Sequence, residues 1–423
     1  MDKQRIVFIH LPGQTTAVPA GRLEMDVNAA GGFLHARFAY GTHYLQRGNA
    51  LDVDPVALPR QGTPLQTFTP PNGLGMFGAI RDAAPDAWGR RVIENRLRKT
   101  GPLPEWEYLD QAGADRAGAL DIRPTATSEP IRAALPAAID LAHLLDAAER
   151  IEAGETVPAH LMHYFEGGPT MGGMRPKAVI VRDGRQYVAK FPARHDRFDV
   201  PAVEHATLEL ARLAGLNVPA TDLVTLADGR SVLLIERFDR EPLGHGEQAR
   251  RHMVTALTML GLHEMQSPDA SYADIAEAIS RHGTAASIAA DRAELFGRMV
   301  FNIFVHNDDD HLRNHAFLYD TAGGWVLSPL YDVVPAPAIG TERFLHLGVG
   351  PMGRAARLDN ACQGAGQFKL KDAAALAIID RIHRVVREWR GTFEQCGVTA
   401  RDCDAVASAM LHAQQLGGKS LGF

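Results

Sequence analysis

Cysteine is scarce: three residues in 423, Cys362, Cys396 and Cys403, far apart or without metal-ligand spacing. No disulfide framework or cysteine-based metal site is read here, and the scarcity fits a reducing compartment. Long apolar runs are missing too. No stretch approaches the roughly 20 apolar residues of a membrane helix, and the start, MDKQRIVFIHLPG, has too short an apolar run for a signal peptide. There is no excess of positive charge. Lys and Arg number 44 against 50 Asp and Glu, a net charge of -6. Bulk electrostatics therefore favour neither nucleic acid nor an anionic membrane. Repeats and low-complexity tracts are absent as well. The chain reads as cytoplasmic. What remains is an ordinary globular composition, 46% hydrophobic and 22% charged, on a chain long enough for two or three domains.

The first third predicts strands and turns. RIVFIH from Arg5, RLEMDV from Arg22 and FLHARFAY from Phe33 are short and alternating or β-branched, with Gly/Pro-rich turns between them. Pro85 and Asp86 then open a helix, DAWGRRVIENRLRK, with Trp88, Val92 and Leu97 roughly on one face. A linker is read around Ser128 to Ala137, followed by a helix, AAIDLAHLLDAAERIE. Next, MRPKAVIVRDGRQYVAKFP predicts two strands joined at Asp183-Gly184, and DLVTLA with SVLLIERF two more joined at Asp228-Gly229. Between them AVEHATLELARLAG reads as a helix ending at Gly215. After about Arg240 nearly everything has helical period, including HMVTALTMLGLHEM, SYADIAEAISRHG, AELFGRMVFNIFVHN, DAAALAIIDRIHRVVREWR and DCDAVASAMLHAQQL. Hairpin, helix, hairpin and then a helical half is the order of a protein-kinase-like bilobal fold.

Phosphoryl transfer needs positioned phosphates, metal ions across them and a carboxylate that orients the attacking hydroxyl. Four features in chain order could supply these. PTMGGMRPK, Pro169 to Lys177, places Gly172 and Gly173 where backbone N–H groups could approach a phosphate; a Gly-Gly pair before a strand is more often a plain turn. Lys190 in YVAKF could reach phosphates from the return strand, against the bland reading of a surface lysine. Glu204 on the next helix is its candidate partner, with Glu209 as rival. ERFDR, Glu236 to Arg240, could form a hinge in which the backbone of Glu236 and Phe238 meets an adenine, although Phe238 could equally be core. The strongest feature is HNDDDHLRNHAFLYD followed by LSPLYDVVP. Asp309 stands five residues before Asn314, the D-x-x-x-x-N spacing in which the Asp accepts the hydroxyl proton and the Asn binds Mg²⁺. Asp332, after the strand WVLSP, can hold the second metal contact. A competing reading uses His306, Asp308, Asp309, Asp310, His311 and His315 as ligands of a metal-dependent phosphohydrolase. It would need neither Lys190 nor the glycine loop. A small-molecule kinase, which shares the catalytic-loop spacing, is a further alternative, and a pseudo-enzyme that only binds a partner is another.

HNDDDHLRNHAF with SPLYDVVP, GGMRPKA, LIERFDR and FGAIRDAAPDAWGRR together closely resemble the HipA-type toxin kinases, over nearly the whole chain. The resemblance implies an α+β, protein-kinase-like bilobal fold with an added β-rich N-terminal subdomain and an all-helical C-terminal lobe. The expected regions are 1–125 for the β-rich subdomain, 135–240 for the hairpin–helix–hairpin region and 241–423 for the helical lobe. It implies a serine/threonine kinase using ATP and Mg²⁺, the toxin of a toxin–antitoxin module, with a small HipB-like helix-turn-helix antitoxin as partner. It further implies that DNA is contacted mainly through that antitoxin, and that the substrate is a protein such as an aminoacyl-tRNA synthetase, whose phosphorylation stops translation. By position, Asp309 matches the catalytic aspartate and Asn314 with Asp332 the metal pair. Thr170, Met171, Gly172, Gly173, Met174, Lys190, Glu236, Phe238 and His311 match ATP contacts. In the family the phosphate loop often carries an autophosphorylated serine; here the matching hydroxyl is Thr170, preceded by Pro169.

Overall fold

The structure, a computed structural model, describes residues 4–28, 32–60, 66–99, 101–131, 135, 141–162, 173–244, 247–338, 340 and 342–422. The chain divides into two compact units, Met1–Arg194 with Glu236–Leu262, and His195–Ile235 with His263–Phe423.

The first unit holds the predicted β-rich start. Strands β1 (Gln4–His10), β2 (Ala17–Val27), β3 (Phe33–Tyr40), β4 (Thr67–Phe68) and β5 (Leu120–Arg123) form one sheet in the order β4-β3-β2-β1-β5. Neighbouring strands in it pair antiparallel. Alternation does the sorting: Leu23 and Met25 of β2 are buried, whereas Glu24 turns outward to Arg37 at 3.3 Å. An aromatic cluster of Phe38, Tyr40, Tyr44 and Phe77 fills the space beneath the sheet.

The helix announced by Pro85-Asp86 runs Ala87–Arg96, and Asp86 caps it by accepting from Gly89 N at 2.7 Å. The same carboxylate takes the buried ammonium of Lys177 at 2.7 Å, while Trp88 Nε1 donates to Lys177 O at 2.8 Å. This is how the APDAWGRR block acts on the fold: it fastens the first strand of the next hairpin. That hairpin is β6 (Lys177–Arg182) and β7 (Arg185–Lys190). Its turn residues Asp183 and Gly184 have φ of 51° and 74°, the positive pair that a type I′ turn requires.

In the second unit the helix Val200–Leu213 is capped by Asp199 and followed by Gly215 at φ 77°. The hairpin Thr221–Thr225 with Ser231–Glu236 follows as predicted. Its turn differs from the first: Gly229 has positive φ and Asp228 does not. Leu226 N instead donates to Arg230 O at 2.9 Å across a loop of three residues. The unit's longer helices after that are Tyr272–His282, Ile288–Val305 and Asp372–Val386, followed by the shorter Trp389–Gln395 and Ala400–Val406.

The mixed helix-and-strand fold stands, but the region after Arg240 is not all-helical. It contains the hairpin Arg240–Gly244 with Glu247–Arg250, the strand Met253–Thr255 and the hairpin Ala316–Asp320 with Gly324–Leu327. HMVTALTMLGLHEM fails as one helix because buried Asp82 captures it. Asp82 accepts from Thr255 N, Thr255 Oγ1 and Thr258 Oγ1, leaving a single turn, Ala256–Met259. The last predicted helix stops at Val406, where Arg343 donates to the carbonyls of Ser408 and Ala409. Among the described residues no helix is long and apolar enough to cross a membrane.

Candidate active site

The loop that carries Asp309 begins where the helix Ile288–Val305 ends. The apolar run stops at Val305, and His306 adopts a left-handed conformation, φ 47°. His and Asn tolerate that region better than most residues. The N–H groups of His306 and Asn307 both return to Asn302 O. His306 is then locked from outside: its Nδ1 lies 2.7 Å from Ala336 O, and Ala336 N donates to His306 O at 2.9 Å.

Beneath the loop runs a buried chain of hydrogen bonds. Asn307 Nδ2 donates to Asn302 Oδ1, Asn302 Nδ2 to Tyr272 OH at 2.8 Å, and Tyr272 OH to Asp310 Oδ2 at 2.6 Å. Asp310 Oδ1 accepts from His346 N at 2.6 Å. Burial pushes the Asp310 carboxyl up to about 7, against the lowering effect of these donors. Sequence reasoning placed Asp310 among metal ligands and passed over Tyr272, Asn302 and His346. In a run of three aspartates nothing marks the middle loop positions from the one that turns inward.

Asp309, by contrast, is exposed. Asn314 Nδ2 donates to Asp309 O at 2.8 Å, so the five-residue spacing closes the loop on itself. A carbonyl only accepts, so the amide must present its nitrogen there. Asn314 Oδ1 is thereby turned away and has no hydrogen bond among the described residues. Asp332 follows the hairpin Ala316–Asp320/Gly324–Leu327 and has φ 59°, strained for a residue with a Cβ. Two contacts place it. Fully buried Arg298 donates to Ser328 O at 2.7 Å, and Tyr331 OH donates to Arg313 O at 2.6 Å, tying the Asp332 loop to the Asp309 loop. Although its side chain reaches solvent, crowding by the surrounding protein and then the negative charges of Asp332 and Asp308 raise Asp309 above the usual carboxylate range; His311, 3.9 Å away, opposes this. Asp309, Asn314, His311 and Asp332 thus stand together in one unit.

These oxygens fit a divalent cation of the Mg²⁺ type: an outward amide oxygen and a carboxylate, both hard donors. The dispersed histidines suit zinc poorly. His306 is held by Ala336, Asp310 by Tyr272 and His346, and His315 is buried edge-on against the Tyr272 ring. Among the described residues no group of three or more His, Cys, Asp or Glu could hold a metal. The phosphohydrolase reading loses its ligand set.

The remaining predicted residues lie in other places. Glu204 is buried on the helix Val200–Leu213. Glu209 is engaged by Arg212 and by Thr221 Oγ1 at 2.9 Å, which removes it as rival for a lysine. Lys190 ends β7 in the first unit, directly opposite Lys177. Gly173 and Met174 are exposed there. Thr170, Met171 and Gly172 lie outside the described residues. In the ERFDR segment, Glu236 pairs with Arg185. Arg237 and Arg240 are buried and bind Asp115 and Asp239, with distances of 2.7–3.0 Å. Sequence reasoning saw only the segment's backbone; its charged side chains secure the N-terminal subdomain, through an aspartate more than a hundred residues earlier.

A family model, the HipA-like C-terminal domain, matches residues 170–389, 220 of the 423. The chain belongs to the HipA-like kinase family. Its HipA relatives include the serine/threonine-protein kinase toxin HipA of Shewanella oneidensis, 25% identical over 52% of this chain and 54% of that protein. Y4mE of Sinorhizobium fredii, whose name marks it as a candidate kinase, is 27% identical over 71% of this chain and 72% of its own length. A Haemophilus influenzae protein named in the same way is 30% identical over 43% of this chain and 57% of its own. The HipA fold itself is matched through almost the entire chain. A structure titled as the Shewanella oneidensis toxin–antitoxin complex of HipA, HipB and operator DNA superimposes with a TM-score of 0.68 at 19% identity, covering 99% of this chain and 98% of that one.

Proposed function

We propose that this chain is an ATP-dependent serine/threonine protein kinase and the toxin of a toxin–antitoxin module. The observation that carries the reading is the closed loop in which Asn314 fixes Asp309 while Asp332, held through Tyr331 and Arg313, lies close enough to raise the Asp309 carboxyl. Asp309 orients the substrate hydroxyl and takes its proton, and its raised pKa makes it a better base. Asn314 and Asp332 hold Mg²⁺, which when bound offsets the charge of the ATP phosphates. In this reading Lys190 with the 170–174 loop positions the phosphates, Glu204 steadies the lysine, and the backbone of Glu236 and Phe238 meets the adenine. His311 sits beside the nucleotide, and Thr170 is the autophosphorylation site. The three regions 1–125, 135–240 and 241–423 are its working parts.

The partner is a HipB-like helix-turn-helix antitoxin, through which DNA is contacted; the HipA–HipB–operator complex of similar fold supports this. The target is a cytoplasmic protein of the translation machinery, of the aminoacyl-tRNA synthetase kind. The test is transfer of [γ-³²P]phosphate from ATP to protein by wild type and by Asp309→Asn. Loss of a general base costs roughly 10²–10⁴-fold. Transfer by Asp309→Asn at the wild-type rate would show that another group is the base. Growth arrest on expression without antitoxin should depend on Asp309 in the same way.

A further inference from the structure

Arg237, Arg240, Asp115 and Asp239 form a closed ion network in the first unit. Arg237 donates to Asp239 and Asp115 at 2.9–3.0 Å, and Arg240 to Asp239 at 2.8 Å and Asp115 at 2.7 Å. Both arginines also donate to Arg116 O. Two guanidiniums and two carboxylates close this set. Arg250 sits directly opposite Arg240 on the hairpin Arg240–Gly244/Glu247–Arg250, outside the set. Its Nη1 donates to Ala114 O at 2.6 Å, and among the described residues no carboxylate pairs with it. Burial and the adjacent Arg240 push it down to about 9; Arg237 adds to this, and Asp115 and Asp121 only partly offset it.

Arg250 and Arg240 line a cavity of about 530 Å³ together with Thr15, Thr16, His10 and Gln248. That volume falls within the range of small-molecule sites. Asp115 also lines it but is already committed to Arg237 and Arg240, and Glu247 is exposed at its edge. His10 is buried, and its Nδ1 has no hydrogen-bond partner. Burial, with Arg250, Arg240 and Arg123 around it, holds the imidazole down to about 3 and therefore neutral.

A half-buried guanidinium without a paired carboxylate is unfavourable, and its planar fork matches a carboxylate or phosphate group. We propose that this cavity binds a small oxyanion-bearing molecule, its phosphate or carboxylate on Arg250 and its remaining polar groups on Thr15, Thr16 and Gln248. The ligand supplies the negative charge for Arg250. The residues named here all belong to the first unit, and none of them is among those proposed to hold the nucleotide or the metal.

The experiment titrates the full-length chain with inorganic phosphate and, in a second arm, with succinate. It follows thermal unfolding and the His10 ring by NMR. In wild type, Tm should rise with ligand concentration, at high concentration as its logarithm. The His10 ring lines the same cavity, so its resonances near neutral pH should shift to a plateau as the site fills. Arg250→Gln should lose both responses while remaining at least as stable as wild type without ligand, because an uncompensated charge has been removed. Asp332→Ala should keep both responses, which separates this site from anion binding at the catalytic loop. A response to one arm only identifies the headgroup as phosphate or carboxylate. No saturable response in either arm, or an Arg250→Gln response equal to wild type, overturns the proposal; the latter would reduce the effect to general salt stabilisation.

Discussion

Asp310→Asn is the perturbation that bears most directly on the buried hydrogen-bond chain beneath the Asp309 loop. The folded protein holds the Asp310 proton up to about pH 7, whereas the unfolded chain releases it near the usual 3.8. Between those values the folded state binds more protons, so the stability this group contributes is fully present below about pH 4 and lost as pH rises through about 7. About three units at 1.36 kcal/mol each give about 4 kcal/mol over that window. Asparagine cannot ionise but keeps an acceptor for His346 N–H. The stability difference, wild type minus variant, should therefore fall with pH and level off above about 7. Taking the difference cancels the titration of distant histidines. The assay is urea unfolding of both proteins between about pH 5 and about pH 8, followed by tryptophan fluorescence. About 3 kcal/mol of change is expected over that range. Tyr272→Phe removes the donor that lowers the Asp310 pKa, so its curve should level off at higher pH. A difference that stays flat from about pH 5 to about pH 8 would mean that Asp310 is ionised throughout, and the burial argument would fail.

Three other outcomes follow from the same contacts. Lys177→Met leaves Asp86 a buried carboxylate without its ammonium and should destabilise by about 3–5 kcal/mol, read as a lowered urea midpoint. Arg237→Met should cost a similar amount and also flatten the acid limb. Burial alone would raise Asp115 and Asp239, but Arg237 and Arg240 outweigh it and hold both below the usual range, so their contribution is present above about pH 4 and lost as pH falls. An unchanged acid limb in Arg237→Met would contradict this. Asp332→Ala should raise the Mg²⁺ concentration needed for half-maximal transfer without altering the unfolding free energy by more than about 0.5 kcal/mol; an unchanged Mg²⁺ requirement would remove Asp332 from the metal.

Local signals were legible in the sequence where the cause is itself local. Asp183-Gly184 predicts its hairpin because both residues must take positive φ, and they do. The Asp309-to-Asn314 spacing predicts a closed loop, and the closing hydrogen bond is there. What stayed hidden depends on partners distant in the chain. Thr255 and Thr258 stop helix formation through Asp82, over 170 residues earlier. Arg237 and Arg240 look like a charged strand end until Asp115 is brought beside them. Asp310 differs from Asp309 only in direction, and direction is set by Tyr272 and the His346 backbone.

The interleaving of the two units limits how this gene can be dissected. The chain passes from one unit to the other after residues 194, 235 and 262, so neither unit is a continuous stretch. A fragment ending at 194 would contain Asp115 but neither Arg237 nor Arg240, leaving a carboxylate that the intact protein buries between two cations. A fragment beginning at 195 would carry those arginines with no Asp115. Deletion series that look like domain mapping would thus produce misfolded halves, and loss of phosphoryl transfer in them would say nothing about which half holds the chemistry. Point substitutions in the full-length chain are the informative route.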